Sequence, residues 1–157
     1  MVIPVAPVVP ALERAFDVAA RLGPLEDHGL TRAGHRRVVP IAGGRVTGLF
    51  DAEILPGGAD WQLVRPDGGV EIDTRYSART AAGEYVHIRT SGVRSGPPEV
   101  LEALLRGDPV DPSAYYFRVG VTLETATPRL AALERSIFVA SAVREADGVY
   151  YTAYRVT

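Results

Sequence analysis

The side chains best placed for chemistry in this sequence are oxygen acids, phenols, one imidazole and guanidinium groups. Asp60 follows the turn Pro56-Gly57-Gly58 and precedes the single tryptophan, Trp61. An acid brought to a strand start beside a large aromatic ring is desolvated, which raises its pKa and leaves it poised as a general acid or base. The competing role is local, because aspartates in turns commonly accept backbone amides. Trp61 either stacks a substrate ring or packs as a core tryptophan. Tyr76 is the one polar tip in the alternating set Ile72, Thr74, Tyr76 and Ala78 and suits a ligand contact or proton transfer, whereas Glu71, Asp73, Arg75, Ser77 and Arg79 read as a solvated face. His87 shares a strand side with Tyr85 and Arg89. It is the best placed of three histidines for acid or base work near neutral pH, although a single strand histidine is more often an exposed or hydrogen-bonded residue.

A further polar row is Tyr116, Arg118, Gly120, Thr122 and Glu124, interleaved with Tyr115, Phe117, Val119, Val121 and Leu123. Ordinary burial puts the apolar row in the core and the polar row in water. The alternative turns the polar row onto a ligand cavity, as in barrels that hold small molecules. Arg118 and Glu124 stand six residues apart, roughly 20 Å along a strand, so they cannot pair directly. The candidate set is then Asp60, Tyr76, His87 and Glu124 for catalysis, with Trp61, Arg89, Tyr116 and Arg118 for substrate binding.

Two absences narrow the chemistry. All 17 basic residues are arginine, and there is no cysteine. Thiol nucleophiles, Schiff-base lysines, disulfides, iron–sulfur clusters, thiolate zinc sites and a P-loop lysine are therefore excluded. Arginine is the remaining fixed cation for a carboxylate or enolate oxygen. His28, His35 and His87 show no His-x-x-x-His spacing, and there is no G-x-S-x-G or G-x-G-x-x-G segment, so neither a metal nor any other cofactor is expected. A net charge of −2 without blocks of like charge argues against nucleic acid and membrane surfaces as partners, and leaves a small organic molecule.

These residues need elements to hold them. The 157 residues suit one domain, 46% of them are apolar, and glycine and proline punctuate short β-rich runs. Residues 1–10, MVIPVAPVVP, lack a basic leader and carry three prolines. They read as an extended arm, either a frayed tail or a strand-like stretch that packs on its own barrel or on a neighbouring subunit, and a homo-oligomer and a cytoplasmic location are expected. Within 11–157 the runs Leu12–Leu22, Gly34–Ala42, Arg45–Leu55, Asp60–Arg65, Val70–Thr80, Glu84–Thr90, Tyr115–Thr125, Ser136–Arg144 and Val149–Val156 predict strands, the first also fitting a helix face. Gly43-Gly44, Pro66-Asp67-Gly68-Gly69, Ala81-Ala82-Gly83 and Asp147-Gly148 predict turns. Pro97 to Gly107 predicts one short helix, a crossover or lid, with proline at its start and glycine just past its end. Mostly hairpin connections favour a single antiparallel barrel of about eight to nine strands, an all-β fold, over a sandwich.

The segments LPGGADWQLVRPDGGVEIDTRYSART and AAGEYVHIRTSGVR, with YYFRVGVTLETATPRL and IFVASAVREADGVYYTAYRV, resemble a bacterial and fungal family known as domain of unknown function 3237. The resemblance covers most of residues 11–157. It implies a β-barrel of lipocalin-like or allene-oxide-cyclase-like shape and a motif set of Gly58, Asp60, Trp61, Asp67, Gly68, Tyr76, Gly83, Gly92, Arg94, Phe117, Arg118, Glu124 and Thr125, but no reaction. Leu130–Arg135 and Ser141-Ala142 depart from the family pattern, which points to a divergent ligand. Two functions follow as expectations. One is a cofactor-independent lyase, isomerase or cyclase working by proton transfer in the cavity, and the other is a binding barrel without turnover.

Overall fold

The computed structural model describes residues 5–157. Ten strands form one antiparallel sheet: β1 (Leu12–Leu22), β2 (Glu26–Thr31), β3 (Gly34–Gly48), β4 (Ala52–Ile54), β5 (Ala59–Val64), β6 (Val70–Arg79), β7 (Tyr85–Ser95), β8 (Tyr116–Glu124), β9 (Ile137–Arg144) and β10 (Gly148–Val156). Neighbours run β1-β10-β9-β8-β7-β6, then β4 and β5 side by side in sequence along β3, and the β1–β3 pairing closes the ring. Closure removes the exposed edges that an open sheet would present. The result is an eight-stranded barrel with two additional strands, as the hairpin rhythm predicts. Helix α1 (Pro98–Arg106) lies between β7 and β8, and a 3-10 segment, Pro128–Arg135, between β8 and β9.

Most predicted turns are in place. Arg65 and Gly69 close the β5–β6 hairpin, Thr80 and Glu84 the β6–β7 hairpin, and Glu145 and Gly148 the β9–β10 hairpin. Gly43-Gly44 is a correction, because the chain continues through both residues as the long strand β3. Gly44 has φ +141°, and a side chain there would collide with the Ala19 carbonyl oxygen of β1. The glycines allow close strand approach at the seam rather than a reversal. The stretch Glu26–Thr31 is a strand added along β3, with a register shift between Asp27 and Gly29. Of the arm, residues 1–4 lie outside the described residues; residues 5–10 are exposed and irregular, and Ala11 pairs with Thr157 through two backbone hydrogen bonds.

Position along the strands divides the barrel interior into two halves. Phe16, Val46, Phe50, Ile54, Val86, Ile88 and Phe138 fill one half, with tilted ring pairs Phe16–Phe50 and Phe16–Phe138 at 5.5 Å, and Leu130 and Leu133 of the 3-10 segment are buried against it. The other half, called the polar half below, sets buried polar side chains such as Asp60, Gln62, Thr74, Thr90 and Arg94 among apolar ones. Helix α1 buries Leu104, seats Leu101 against the Gly68 turn, and ends at Gly107, whose φ of +80° makes a left-handed cap beside Ala146. It therefore spans the polar end between the β5–β6 and β9–β10 turns. Among the described residues no helix is long and apolar enough to cross a membrane.

Candidate functional site

The polar half encloses a cavity. Asp60 and Gln62 enter it from β5, Ile72, Thr74 and Tyr76 from β6, Thr90 and Arg94 from β7, Phe117 and Val119 from β8, and Arg144 and Tyr151 from β9 and β10. About 40 Å³ is open to the centre of a water molecule, where one enclosed water needs on the order of 10–15 Å³. The space as it stands suits a handful of non-hydrogen atoms, and a larger molecule must displace side chains at the mouth.

Register explains why these side chains meet. Asp60 stands opposite Thr74, and Thr74 opposite Thr90, so three polar positions fall in one layer. The β5–β6 ladder opens between Asp60 and Leu63, and there Asp60 Oδ1 accepts the Asp73 N–H at 3.1 Å. Gln62 Nε2 donates to Asp60 Oδ2 at 2.8 Å, while Gln62 Oε1 accepts from Arg37 Nη2 at 3.3 Å. The carboxylate is thus oriented by a chain running from β3 through β5 to β6. Burial pushes the Asp60 carboxyl above the ordinary carboxylate range, against the opposing pull of Gln62, Thr74, the Asp73 N–H and the Arg94 charge. Asp60 is a desolvated acid, and the backbone amide it accepts is the cross-strand Asp73 N–H rather than an amide of its own turn.

Further along β6, the Tyr76 and Tyr151 hydroxyls share a hydrogen bond of 2.6 Å. Burial pushes both phenols upward, Tyr76 well above its ordinary value. Both stay neutral at ordinary pH, so the pair offers a hydroxyl donor rather than a base. Arg94 is buried, and desolvation, with Arg144 and Arg37 nearby, pulls its guanidinium down to about 10, which still leaves it charged near neutrality. Among the described residues no group of three or more His, Asp or Glu side chains is arranged to hold a metal ion.

Of the eight residues singled out from sequence, Asp60 and Tyr76 reach the cavity. His87, Arg89, Tyr116, Arg118 and Glu124 stand on the outer surface of β7 and β8. His87 faces Glu124 across the ladder, Arg89 reaches Asp73, and the Arg118 guanidinium lies 5.3 Å from the Tyr116 ring centre. The apolar row of β8 took the inside, as ordinary burial dictates. Trp61 is also on the outer face, 39% exposed, opposite Val38.

Sequence reasoning passed over Gln62, Thr90, Arg144 and Tyr151, named Thr74 only as a neighbour of Tyr76, and met Arg94 only among the motif residues that the resemblance implies. Period-two alternation would have found Arg94 had β7 been carried past Thr90 to Ser95, since Val86, Ile88, Thr90 and Arg94 share a face. Gln62 follows from Asp60 by the same rule. What alternation does not give is which face of β5 turns inward, because Ala59, Trp61 and Leu63 form the more apolar row.

A family model described as "Protein of unknown function (DUF3237)" matches residues 10–156. A UPF0311 protein of Bradyrhizobium diazoefficiens is 42% identical over 141 residues, which are 90% of this chain and 93% of that protein. The crystal structure of a conserved protein of unknown function from Rhodopseudomonas palustris, 37% identical, covers 97% of this chain and 100% of its own with a TM-score of 0.90. A crystal structure described as that of an enzyme from Penicillium herquei shares the fold at a TM-score of 0.73 and 16% identity, covering 99% of this chain and 100% of its own.

Proposed function

The chain belongs to the DUF3237 family, and on that premise we propose that it is a cofactor-independent enzyme that carries out proton transfer on a small organic molecule inside the barrel, as a lyase, isomerase or cyclase does. The observation that supports this most is Asp60, a buried carboxyl with a raised pKa whose two oxygens are held by Gln62 and the Asp73 N–H while it lines the cavity. A raised carboxyl pKa narrows the gap to weakly acidic substrate protons and leaves the group usable in either protonation state. Tyr76 and Tyr151 supply neutral hydroxyls that can hydrogen-bond a carbonyl or enolate oxygen, and preorganised donors of this kind stabilise charge as it develops. Orientation of Asp60 through Gln62 and Arg37 fixes the proton acceptor before substrate arrives. The Penicillium herquei protein supports the reading only to the extent that the same barrel serves an enzyme there.

About half of the cavity lining is apolar, including Ile41, Ile72, Phe117 and Val149, which favours a second reading in which the same cavity binds without turnover. Deuterium exchange separates the two. Enolisable ketones and 2-oxo acids are incubated with the protein in D2O and followed by proton NMR. The wild type is expected to speed exchange of at least one such compound over buffer, and Asp60→Asn to lose about 10²–10⁴ of that rate while binding persists. No exchange above buffer across the panel, or equal rates for Asp60→Asn and wild type, overturns the catalytic reading.

A further inference from the structure

Three arginines from different strands approach the polar half of the barrel, and Asp60 is the carboxylate that lines it. Arg37 donates to Gln62 Oε1, and Arg144 Nη1 donates to the Gly148 carbonyl oxygen at 3.1 Å. Arg94 is differently placed. Like Arg37 it is 7% exposed, has a buried Nε without a hydrogen-bond partner and takes part in none of the ion pairs among the described residues, but unlike Arg37 it makes no side-chain hydrogen bond there at all. Its guanidinium lies 5.5 Å from the Phe117 ring centre.

A guanidinium carries five N–H donors and no acceptor, and it keeps its charge at ordinary pH. Burying one without a hydrogen-bonded anion is costly, and Arg37 and Arg144 add repulsion; Asp60 attracts Arg94 through space, but its oxygens are taken by Gln62 and the Asp73 N–H and it makes no hydrogen bond or ion pair with Arg94. The ladder gives Arg94 no other direction, because it stands opposite Val70 on β6 and Phe117 on β8, both of which point inward. The missing partner is an acceptor with negative charge. A carboxylate matches the fork of a guanidinium with two parallel hydrogen bonds, and desolvation strengthens such a pair. Around it, Ile72, Val119, Ala142 and Val149 line the cavity with apolar surface.

We propose that this cavity is a receptor for a small monocarboxylate with an apolar body, its carboxylate seated on Arg94 and its body against Ile72, Val119, Ala142 and Val149. The proposal rests on the barrel interior being the ligand site, as in the reading above, but not on proton transfer by Asp60. It makes Arg94 the residue that selects acids over their neutral analogues.

Calorimetric titration with sodium acetate and sodium benzoate, against acetamide and benzamide, tests it. The wild type is expected to bind at least one carboxylate no less than tenfold tighter than its amide. Arg94→Met, which fills similar volume without charge, should lose at least tenfold in that carboxylate affinity while keeping a cooperative melt. Arg94→Lys, with a point charge but no fork, should fall between the two. Binding of neither carboxylate, equal affinity for acid and amide, or unchanged carboxylate affinity in Arg94→Met overturns the receptor, whatever Asp60 does. Carboxylate binding lost in Arg94→Met but kept in Asp60→Asn upholds it. That last pattern, in a wild type that exchanges no proton, upholds the receptor and overturns the catalytic reading alone.

Discussion

The paired hydroxyls of Tyr76 and Tyr151 give a prediction whose size follows from their surroundings. Each is buried, they meet at 2.6 Å, and neither makes another hydrogen bond among the described residues. Tyr76→Phe removes one hydroxyl and strands the other, and leaving a buried donor or acceptor unsatisfied costs about 1–3 kcal/mol. Both tyrosines line the cavity, which has room for a water to replace the lost partner, so the lower half of that range, about 1–2 kcal/mol, applies. Tyr151→Phe should cost the same. In the double variant no hydroxyl is stranded, and replacing both partners by apolar groups of like shape is nearly neutral. The double variant should therefore be destabilised by at least ~1 kcal/mol less than the sum of the singles. Urea unfolding followed by the fluorescence of Trp61, the single tryptophan, measures all three. In thermal melts each single should drop by about 2–4 °C per kcal/mol for a chain of this size. Single effects that add to within ~0.3 kcal/mol would refute the account of the pair as a mutually satisfied unit.

Two further predictions follow from the barrel geometry. Gly44→Ala places a Cβ against the Ala19 carbonyl at φ +141°, so the β1–β3 seam should lose about 3 kcal/mol or more, and a variant with an unchanged urea midpoint would contradict the seam described here. Because the side chains of His87, Arg89, Tyr116, Arg118 and Glu124 point away from the cavity, truncating each should leave carboxylate affinity unchanged and stability within about 0.5 kcal/mol, as judged by calorimetry and urea unfolding. A tenfold affinity loss in any of them would place the ligand on the outer surface instead.

The strand order and the helix were legible because their signals are local. Pro66-Asp67-Gly68-Gly69 and Asp147-Gly148 can do little but turn, and Pro98 with Gly107 bounds a helix whichever way it packs. The Gly43-Gly44 pair misleads because glycine serves both a reversal and a close strand crossing, and the crossing depends on β1 lying underneath. Strand β2 carries weak β-formers such as Asp27, His28 and Gly29 and is held by pairing along β3 rather than by its own preference. The site was only partly legible for a related reason. Alternation sorts side chains into two rows but not into inside and outside, and a closed barrel with one apolar half and one polar half breaks the rule that the apolar row goes in. On β8 the rule holds, and on β5 the polar row, Asp60 and Gln62, takes the interior.

The central claim is that Asp60 is a desolvated acid inside the barrel, and its carboxyl titration tests this most directly. Carbon-13 NMR of the Asp60 carboxyl should give a midpoint above the usual ~3.9, and higher again in Arg94→Met, where the attraction that opposes burial is removed. Stability must follow with the matching sign. A carboxyl with a raised folded-state pKa favours the fold fully below the unfolded value, and that advantage is lost as pH rises through the folded value, so wild type should lose stability relative to Asp60→Asn across that window. A midpoint at or below ~3.9 would contradict the account, because Asp60 would then be an ordinary ionised carboxylate with no special hold on a proton.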